Sequence, residues 1–374
     1  MRHPRLFSCC LVAALGAVGT LRPAAAEPFS LVVLGDTQSY VVNDTLSANF
    51  TAQTQWIADQ AEARNIRFVT HVGDIVEHDI AAEWDRADHA MSLLDHAGVP
   101  WSVAFGNHEW DQGQAFGGDT AYIEHFGPGR FGDAAWFGGA SDNGRSTWQR
   151  FDAGGRTFLH ITLEYDAPDE AIAWGQSVLD LPENQGLPTI LTTHVYLNDN
   201  RNVGFTDASP TTVQHVTRPY TGGAGRNSGE DIWEEFVSVN DQVFMVFNGH
   251  YAGERLLVST NEEGNEVFQM QVDYSRRPNG GDGWLKLLTF DVDAGEIVVQ
   301  TYSPTLDEFA EFEPDANHPL NLLDEYTGPG DTVGDGDAAF TIQIDFDERF
   351  GAVPEPGVGA LLVPGALALM HRQR

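Results

Sequence analysis

The chain has 374 residues, 42% of them hydrophobic and 11% aromatic, which is enough apolar material for one large domain or two small ones. It carries 20 basic and 55 acidic residues for a formal charge of −35, and Lys286 is its single lysine. That balance argues against nucleic acid as a partner, because a phosphate backbone would be repelled, and it suits solubility in a salty exterior. An anionic substrate would need local positive charge from a metal ion or from arginines. Both cysteines, Cys9 and Cys10, stand near the N-terminus, so neither a disulfide framework nor a thiolate zinc site is expected.

Arg2, His3 and Arg5 precede a short apolar stretch over residues 11–21, and Ala24-Ala25-Ala26 follows as a small-residue cleavage pattern. Residues 1–26 therefore read as a secretory signal peptide. Arg22 and Pro23 interrupt the run before the roughly 20 apolar residues that a membrane helix needs.

An apolar strand over residues 29–34 leads into Gly35-Asp36-Thr37-Gln38. Residues 48–63 predict a helix with Phe50, Ile57 and Ala61 toward the core. A second buried strand, residues 66–72, ends in Gly73-Asp74-Ile75-Val76-Glu77-His78. A second helix, residues 82–97, puts Trp84, Ala87, Met91 and Leu94 on one face. A third strand, residues 99–105, ends in Gly106-Asn107-His108-Glu109. Strand and helix alternate, which predicts parallel strands with helical crossovers and a ligand site at their C-terminal ends.

Residues 112–144 read as one long excursion, either a solvated surface loop or a rim over the site. Residues 148–151 and 157–163 predict paired strands joined by Ala153-Gly154-Gly155. A helix over 169–179 and an apolar strand over 188–193 follow, the latter delivering His194. A second long loop, residues 198–227, holds Arg201, Arg218 and Arg226. Ser228 is a candidate N-cap for a helix to residue 237, with Asp231 three residues on. Residues 243–247 predict the strand that delivers Asn248-Gly249-His250-Tyr251. Short alternating stretches at 255–259, 267–272, 284–291 and 296–302 suggest an antiparallel second half.

Five strand ends thus carry Asp36, Asp74, Asn107, His194 and His250. One aspartate after a strand is ordinarily a turn residue, and one histidine there is ordinarily a hydrogen-bonded polar group. Five at successive strand ends form a mixed nitrogen and oxygen set suited to a hard or borderline divalent metal.

In order and strand context, Gly-Asp-Thr-Gln at 35–38, Gly-Asp at 73–74, Gly-Asn-His-Glu at 106–109, Thr-Thr-His at 192–194 and Gly-His-Tyr at 249–251 resemble the five blocks of calcineurin-like metallophosphoesterases. The resemblance spans roughly residues 29–303. It implies a four-layer α/β/β/α sandwich of the α/β class and a metal-dependent phosphate-ester hydrolase with one or two divalent ions (Mn, Fe, Zn or Mg). By the resemblance, Asp74 bridges two metals, Asn107, His194 and His250 complete one site, and Asp36 belongs to the other. It further implies attack on phosphorus by a hydroxide held on the metals, with His108 protonating the leaving oxygen.

Two departures stand out. Gln38 occupies a position where the family usually has histidine, and Ala252 replaces the last histidine of the final block. Both missing imidazoles would serve the metal bound by Asp36, which keeps Asp36, Asp74 and Gln38. Glu77 is a candidate extra ligand or an acid that orients Asp74, and Tyr40 a weaker candidate. Arg201, Arg218 and Arg226 either clamp phosphate oxygens or pair with surface acids. Trp110 and Tyr251 either line a substrate pocket or pack in the core.

The acidic extension from about residue 304 contains Asp331, Asp335 and Asp337 in a glycine-rich run, whose spacing misses the EF-hand pattern. Phe340, Ile342 and Ile344 alternate as a final strand. The phosphoesterase domain is expected over residues 27–350. Residues 351–374 contain Pro354-Glu355-Pro356, an apolar run over 357–370 and the basic end His371-Arg372-Gln373-Arg374. This resembles a PEP-CTERM sorting signal, which implies export in a Gram-negative-type bacterium, processing by an exosortase, and a final place in the cell envelope or outside. The two lost histidines keep open another reading, a catalytically weak envelope or matrix-associated protein with one metal site.

Overall fold

Parallel strands buried on both faces need unbroken apolar sequence, and the first strand supplies it. In the computed structural model, which describes residues 26–110, 118–198, 213–310 and 338–352, β1 (Phe29–Leu34) is buried along its whole length. After the single turn α1 (Gln38–Val41), α2 (Ser47–Gln60) crosses to β2 (Ile66–His71), and α3 (Ala81–Ala97) crosses to β3 (Trp101–Val103). Gly98, in the left-handed region at φ 68°, ends α3. β1, β2 and β3 pair in parallel, as the alternation of elements predicts.

Next come α4 (Thr120–Phe126), β4 (Phe137–Ala140), the antiparallel pair β5 (Thr147–Ala153) and β6 (Arg156–Thr162), α5 (Asp169–Leu179) and β7 (Thr189–Thr192). The short strands β8 (Leu197–Asn198) and β9 (Gln214–His215) pair with each other. Ser228 caps α6 (Gly229–Ile232) through the expected reciprocal bonds with Asp231, and the helix widens into a π turn over Trp233–Val237. The chain continues through β10 (Val243–Asn248), β11 (Gly253–Thr260), β12 (Glu266–Asp273), β13 (Leu285–Asp291), β14 (Glu296–Ser303), β15 (Glu308–Phe309), β16 (Ala339–Gln343) and α7 (Phe346–Phe350).

Two seven-stranded sheets result among the described residues. The first runs β15-β14-β13-β1-β2-β3, with β16 also on β14; the second runs β11-β12-β10-β7-β6-β5-β4. The period-two side-chain alternation of β1 explains the layering. Leu31 and Val33 join Phe158, Phe247 and Met270 in an apolar layer between the sheets. Val32 and Leu34 face the other way, against Phe50 and Ile57 of α2 and Trp84, Met91 and Leu94 of α3. On the far side, Leu159, Ile161 and Val246 pack against Ile172 and Leu179 of α5 and against Phe236. Helices therefore flank both sheets, in the expected α/β/β/α arrangement.

Two expectations need correction. The described part of the excursion at 112–144 is no surface loop: Tyr122, Phe126 and Phe131 are buried, and Phe126 and Phe131 pack on Trp101. Its aromatic content serves the core. The second half is not wholly antiparallel, because β12 runs parallel to β10 and returns to β11 antiparallel. The segments read as signal peptide and sorting tail, and Asp331, Asp335 and Asp337, lie outside the described residues, apart from a few residues at the inner edges of the two terminal segments.

The single lysine ties the sheets together. Lys286 of β13 contacts the Glu254 carboxylate of β11 at 2.6 Å, both side chains being buried. Thr301 and Tyr274 donate to the same Glu254 oxygen at 2.6 and 2.9 Å. Burial opposes ionisation of Glu254, but Lys286 and Arg277 override it and hold the carboxyl down at about 2. Removing one partner of such a buried pair costs on the order of 3 kcal/mol. Lys286→Met is therefore expected to lower stability by about that much in urea denaturation at pH 7. Because the folded pKa is depressed, the stabilisation is complete above the ordinary glutamate value of 4.5 and is lost as pH falls toward about 2. The variant should show a smaller loss over that interval than the natural chain, and equal losses in the two proteins would refute the linkage.

Candidate metal centre

All five motif blocks sit at the C-terminal ends of β1, β2, β3, β7 and β10, three in the first sheet and two in the second. The strands are parallel to their neighbours in this series, so their tips emerge at one edge of each sheet. Asp74 and His250 occupy left-handed backbone, at φ 52° and 71°. Such conformations are unfavourable for residues with a Cβ and persist where surrounding contacts impose them. Here the contacts are plain. The His250 amide donates to Asp36 Oδ2 at 3.0 Å, and the Asp74 amide to Glu109 Oε2 at 3.0 Å. Glu109 also accepts from the amides of Ile75, at 2.6 Å, and Gly106. Two glycines are needed for close approach. A Cβ on Gly106 would lie 2.3 Å from Asp74 Oδ1, and one on Gly249 would lie 1.9 Å from Asp36 Oδ1.

Asp74, His194 and His250 bring one potential ligand atom each to within 4.8 Å of the others. His194 Nε2 is the hub: Asp74 Oδ1 and Asn107 Oδ1 lie 3.1 Å from it, and His250 Nδ1 lies 3.3 Å away. The other ring nitrogen, Nδ1, can only donate to its partner, the Val72 carbonyl, at 2.9 Å. That bond orients the imidazole and turns Nε2 inward.

The electrostatics follow from burial and from this crowding. Burial disfavours the Asp74 anion, but His194 outweighs it and holds the carboxyl well below the usual range. Burial likewise disfavours the His194 cation, and Asp74 reverses the balance, pushing the imidazole up to about 8. Burial, then the neighbouring His194, pull His250 down to about 3, so it stays neutral. Asp36 is pushed well above its ordinary value by burial and by the nearby carboxylates of Asp273 and Asp74.

These residues fit a divalent cation. Four nitrogen and oxygen donors converge beside the buried acids Asp36, Glu109 and Asp273. Asp36 Oδ1 and Gln38 Oε1 are buried atoms without a hydrogen-bond partner among the described residues, which suits an oxygen-ligated ion beside the first. Asp36 meets the centre through the His250 amide and is not one of the three converging groups. Ala252 is buried and offers no ligand.

His108 stands beside the cluster. Its amide donates to Asp74 Oδ1 at 3.0 Å, and its Nδ1 donates to the Glu77 carbonyl at 2.8 Å. Its Nε2 lies 3.8 Å from Asp74 Oδ2. Burial lowers its pKa, but Asp74 and Glu77 outweigh that and leave it raised. The Glu77 carboxylate lies 4.0 Å from His108 Nδ1, so its contact is with this imidazole.

The remaining candidates divide. Arg226 pairs with buried Glu164 and donates to the Asp166 carbonyl, Arg218 is exposed, and Arg201 is outside the described residues. Trp110 is core, against Phe105 and under Arg145. The Tyr40 hydroxyl is buried and accepts the Gly283 amide. Tyr251 packs on His250 at 4.6 Å between ring centroids. Sequence reasoning gave no part to Asp273, though it ends a strand as the other acids do, nor to Arg276, an exposed cation in the field of His250. Glu109 was visible only as the last letter of a motif.

Two facing sheets thus carry, on their strand tips, a mixed nitrogen and oxygen donor set that suits a divalent metal. Residues 29–254 match the model of the calcineurin-like phosphoesterase family, and the chain belongs to that family. It is 33% identical over 289 residues to the Bacillus subtilis (strain 168) protein YvnB, covering 75% of this chain and 20% of that one. The chain thus spans about a fifth of that relative's length. Its fold is similar to purple acid phosphatase PPD1 from yellow lupin, with a TM-score of 0.51, 16% identity, and coverage of 88% of this chain and 56% of the other. A dimetal phosphatase from Danio rerio is similar with a TM-score of 0.47 and 12% identity, over 74% of this chain and 97% of that one.

Glu109→Gln puts an amide NH2 against backbone N–H groups that now meet a carboxylate. Each stranded buried amide costs about 1–3 kcal/mol. The variant should unfold at lower temperature than the natural chain when both are stripped of metal, and it should take up less metal when both are reloaded. Unchanged stability would rule out this role for the carboxylate.

Proposed function

We propose that the chain hydrolyses a phosphate ester at a divalent-metal centre held by Asp74, Asn107, His194 and His250, with Asp36, Gln38 and Asp74 as ligands of a second ion. The convergence of three donor atoms within 3.3 Å of His194 Nε2 carries this reading. Divalent ions at such a centre polarise a phosphoryl oxygen and lower the pKa of water so that it can attack near neutral pH. The Val72 carbonyl keeps the His194 ring in its binding tautomer, and Glu109 keeps the Asp74 backbone in place. His108 is the proton donor. Its Nδ1–H is committed to the Glu77 carbonyl, and the raised pKa keeps a proton on Nε2 for the departing ester oxygen.

Gln38 and Ala252 favour a second reading: an envelope or matrix-associated protein with one metal and weak turnover. Two ions per chain with turnover supports the enzyme; one or none without turnover supports the binding protein. Export through residues 1–26 and exosortase sorting through residues 351–374 are part of the proposal and rest on sequence pattern alone.

Chelation is expected to abolish hydrolysis across a panel of mono- and diesters, with recovery on adding Mn, Fe, Zn or Mg. Asn107→Ala and His250→Ala should fall to background. Turnover that survives all three treatments would sink the mechanism. His108→Ala should lose about 10²–10⁴-fold in kcat on esters with a basic leaving group. The loss should shrink on an activated aryl ester, whose leaving oxygen needs no proton; an equal loss on both would remove His108 from the donor role.

Metal uptake should also release a proton. Below about pH 8 the metal-free His194 is protonated, and an ion on Nε2 must displace that proton. Affinity should therefore weaken as pH falls below 8 and level off above it. Calorimetry in buffers of different ionisation enthalpy measures the proton released, and a pH-independent affinity between 6 and 9 would contradict this assignment.

A further inference from the structure

Tyr220 presents an unusual combination of exposure and restraint. It is 56% exposed, yet its ring lies 4.4 Å from the His250 ring, at 75°. Tyr165 braces it from another side at 6.1 Å. Its backbone is clamped by Asp166, a carboxylate only 1% exposed, which accepts from the Tyr220 amide at 3.0 Å and from the Thr221 amide and hydroxyl at 2.7 and 2.8 Å. Asp166 itself sits in left-handed backbone at φ 44°, and Arg226 donates to its carbonyl at 3.2 Å. A buried, conformationally costly carboxylate thus fixes an aromatic ring that remains open to solvent. Burial of Tyr220 cannot explain that arrangement, since more than half of the residue stays wet.

The ring's position suggests what it meets. A phosphoryl group on the His250 centre would carry its organic substituent outward, and Tyr220 stands beside His250 at the exposed rim. A tyrosine face offers area and a quadrupole, which favour a flat partner over a flexible aliphatic one. Tyrosine also presents that face with little rotamer entropy to lose.

We infer that Tyr220 is a specificity-determining residue that stacks on a planar ring, aryl or nucleobase, in the organic part of the ester. This rests on the phosphoesterase reading above. The test compares phenyl phosphate, a nucleoside 5′-monophosphate and propyl phosphate as substrates of the metal-loaded full chain. Phenylphosphonate and propylphosphonate serve as non-hydrolysable ligands in calorimetry. The natural chain should prefer at least one ring ester over the propyl ester by about tenfold in kcat/KM, mainly through KM, and should bind phenylphosphonate more tightly by a similar factor. Tyr220→Ala should erase both preferences with metal content and kcat on propyl phosphate unchanged, and Tyr220→Phe should restore them. Which ring ester is preferred separates an aryl from a nucleobase source.

Ring preference that survives Tyr220→Ala, or is absent from the natural chain, overturns the inference. So does loss of preference in Tyr220→Phe, which would assign recognition to the hydroxyl. If no ester is turned over but phenylphosphonate binding depends on Tyr220 as described, the inference stands and the hydrolytic reading fails.

Discussion

The centre depends on one carboxylate that need touch no ligand. Glu109 accepts the amides of Asp74, Ile75 and Gly106, which belong to the tips of two adjacent strands. Those bonds hold the turn after β2 and the turn after β3 in a fixed relation. Asp74 can then occupy left-handed backbone and present its side chain to His194, while the His108 amide closes on the same carboxylate. Burial and the nearby Asp74 charge push Glu109 up to about 7. The negative charge beneath the centre is thus held at a cost, and a cation above it relieves that cost.

The opposing half is organised by a different device. His194 and His250 come from β7 and β10 of the second sheet, joined at their tips by the Gly249 amide donating to the His194 carbonyl at 3.1 Å. Asp36, from the first sheet, accepts the His250 amide and carries the order of one sheet into the other. The Lys286–Glu254 pair makes a comparable connection deeper in the sandwich. In a chain so poor in basic residues, the one lysine lies in the core, and the surface acids have only arginines and histidines as side-chain counter-charges.

Much of this was legible from the residues alone, for physical reasons. A parallel strand buried on both faces reads as a continuous apolar run, and a polar residue directly after it must stand at the tip. Asp36, Asp74, Asn107, His194 and His250 are all found by that rule. The capping pair Ser228 and Asp231 is local and equally visible. The burial of Tyr122, Phe126 and Phe131 was not, because glycine and aspartate around them mask an aromatic cluster that closes only against Trp84 and Trp101. The parallel register of β12 was hidden because its second neighbour in the sheet, besides β11, is β10, where a run of hairpins would put β13. Tyr220 and Asp166 are 54 residues apart, and no periodicity links them.

The donors also have a mechanical meaning. Asp74 and Asn107 hang from the first sheet, and His194 and His250 from the second. An ion shared by all four would staple the mouth of the sandwich, joining segments more than 170 residues apart in the chain. With Cys9 and Cys10 its only cysteines, the protein has no thiols in its body from which to make such a cross-link covalently. Metal occupancy would then set how far the two halves can part, and resistance to unfolding would track the metal supply of the surroundings.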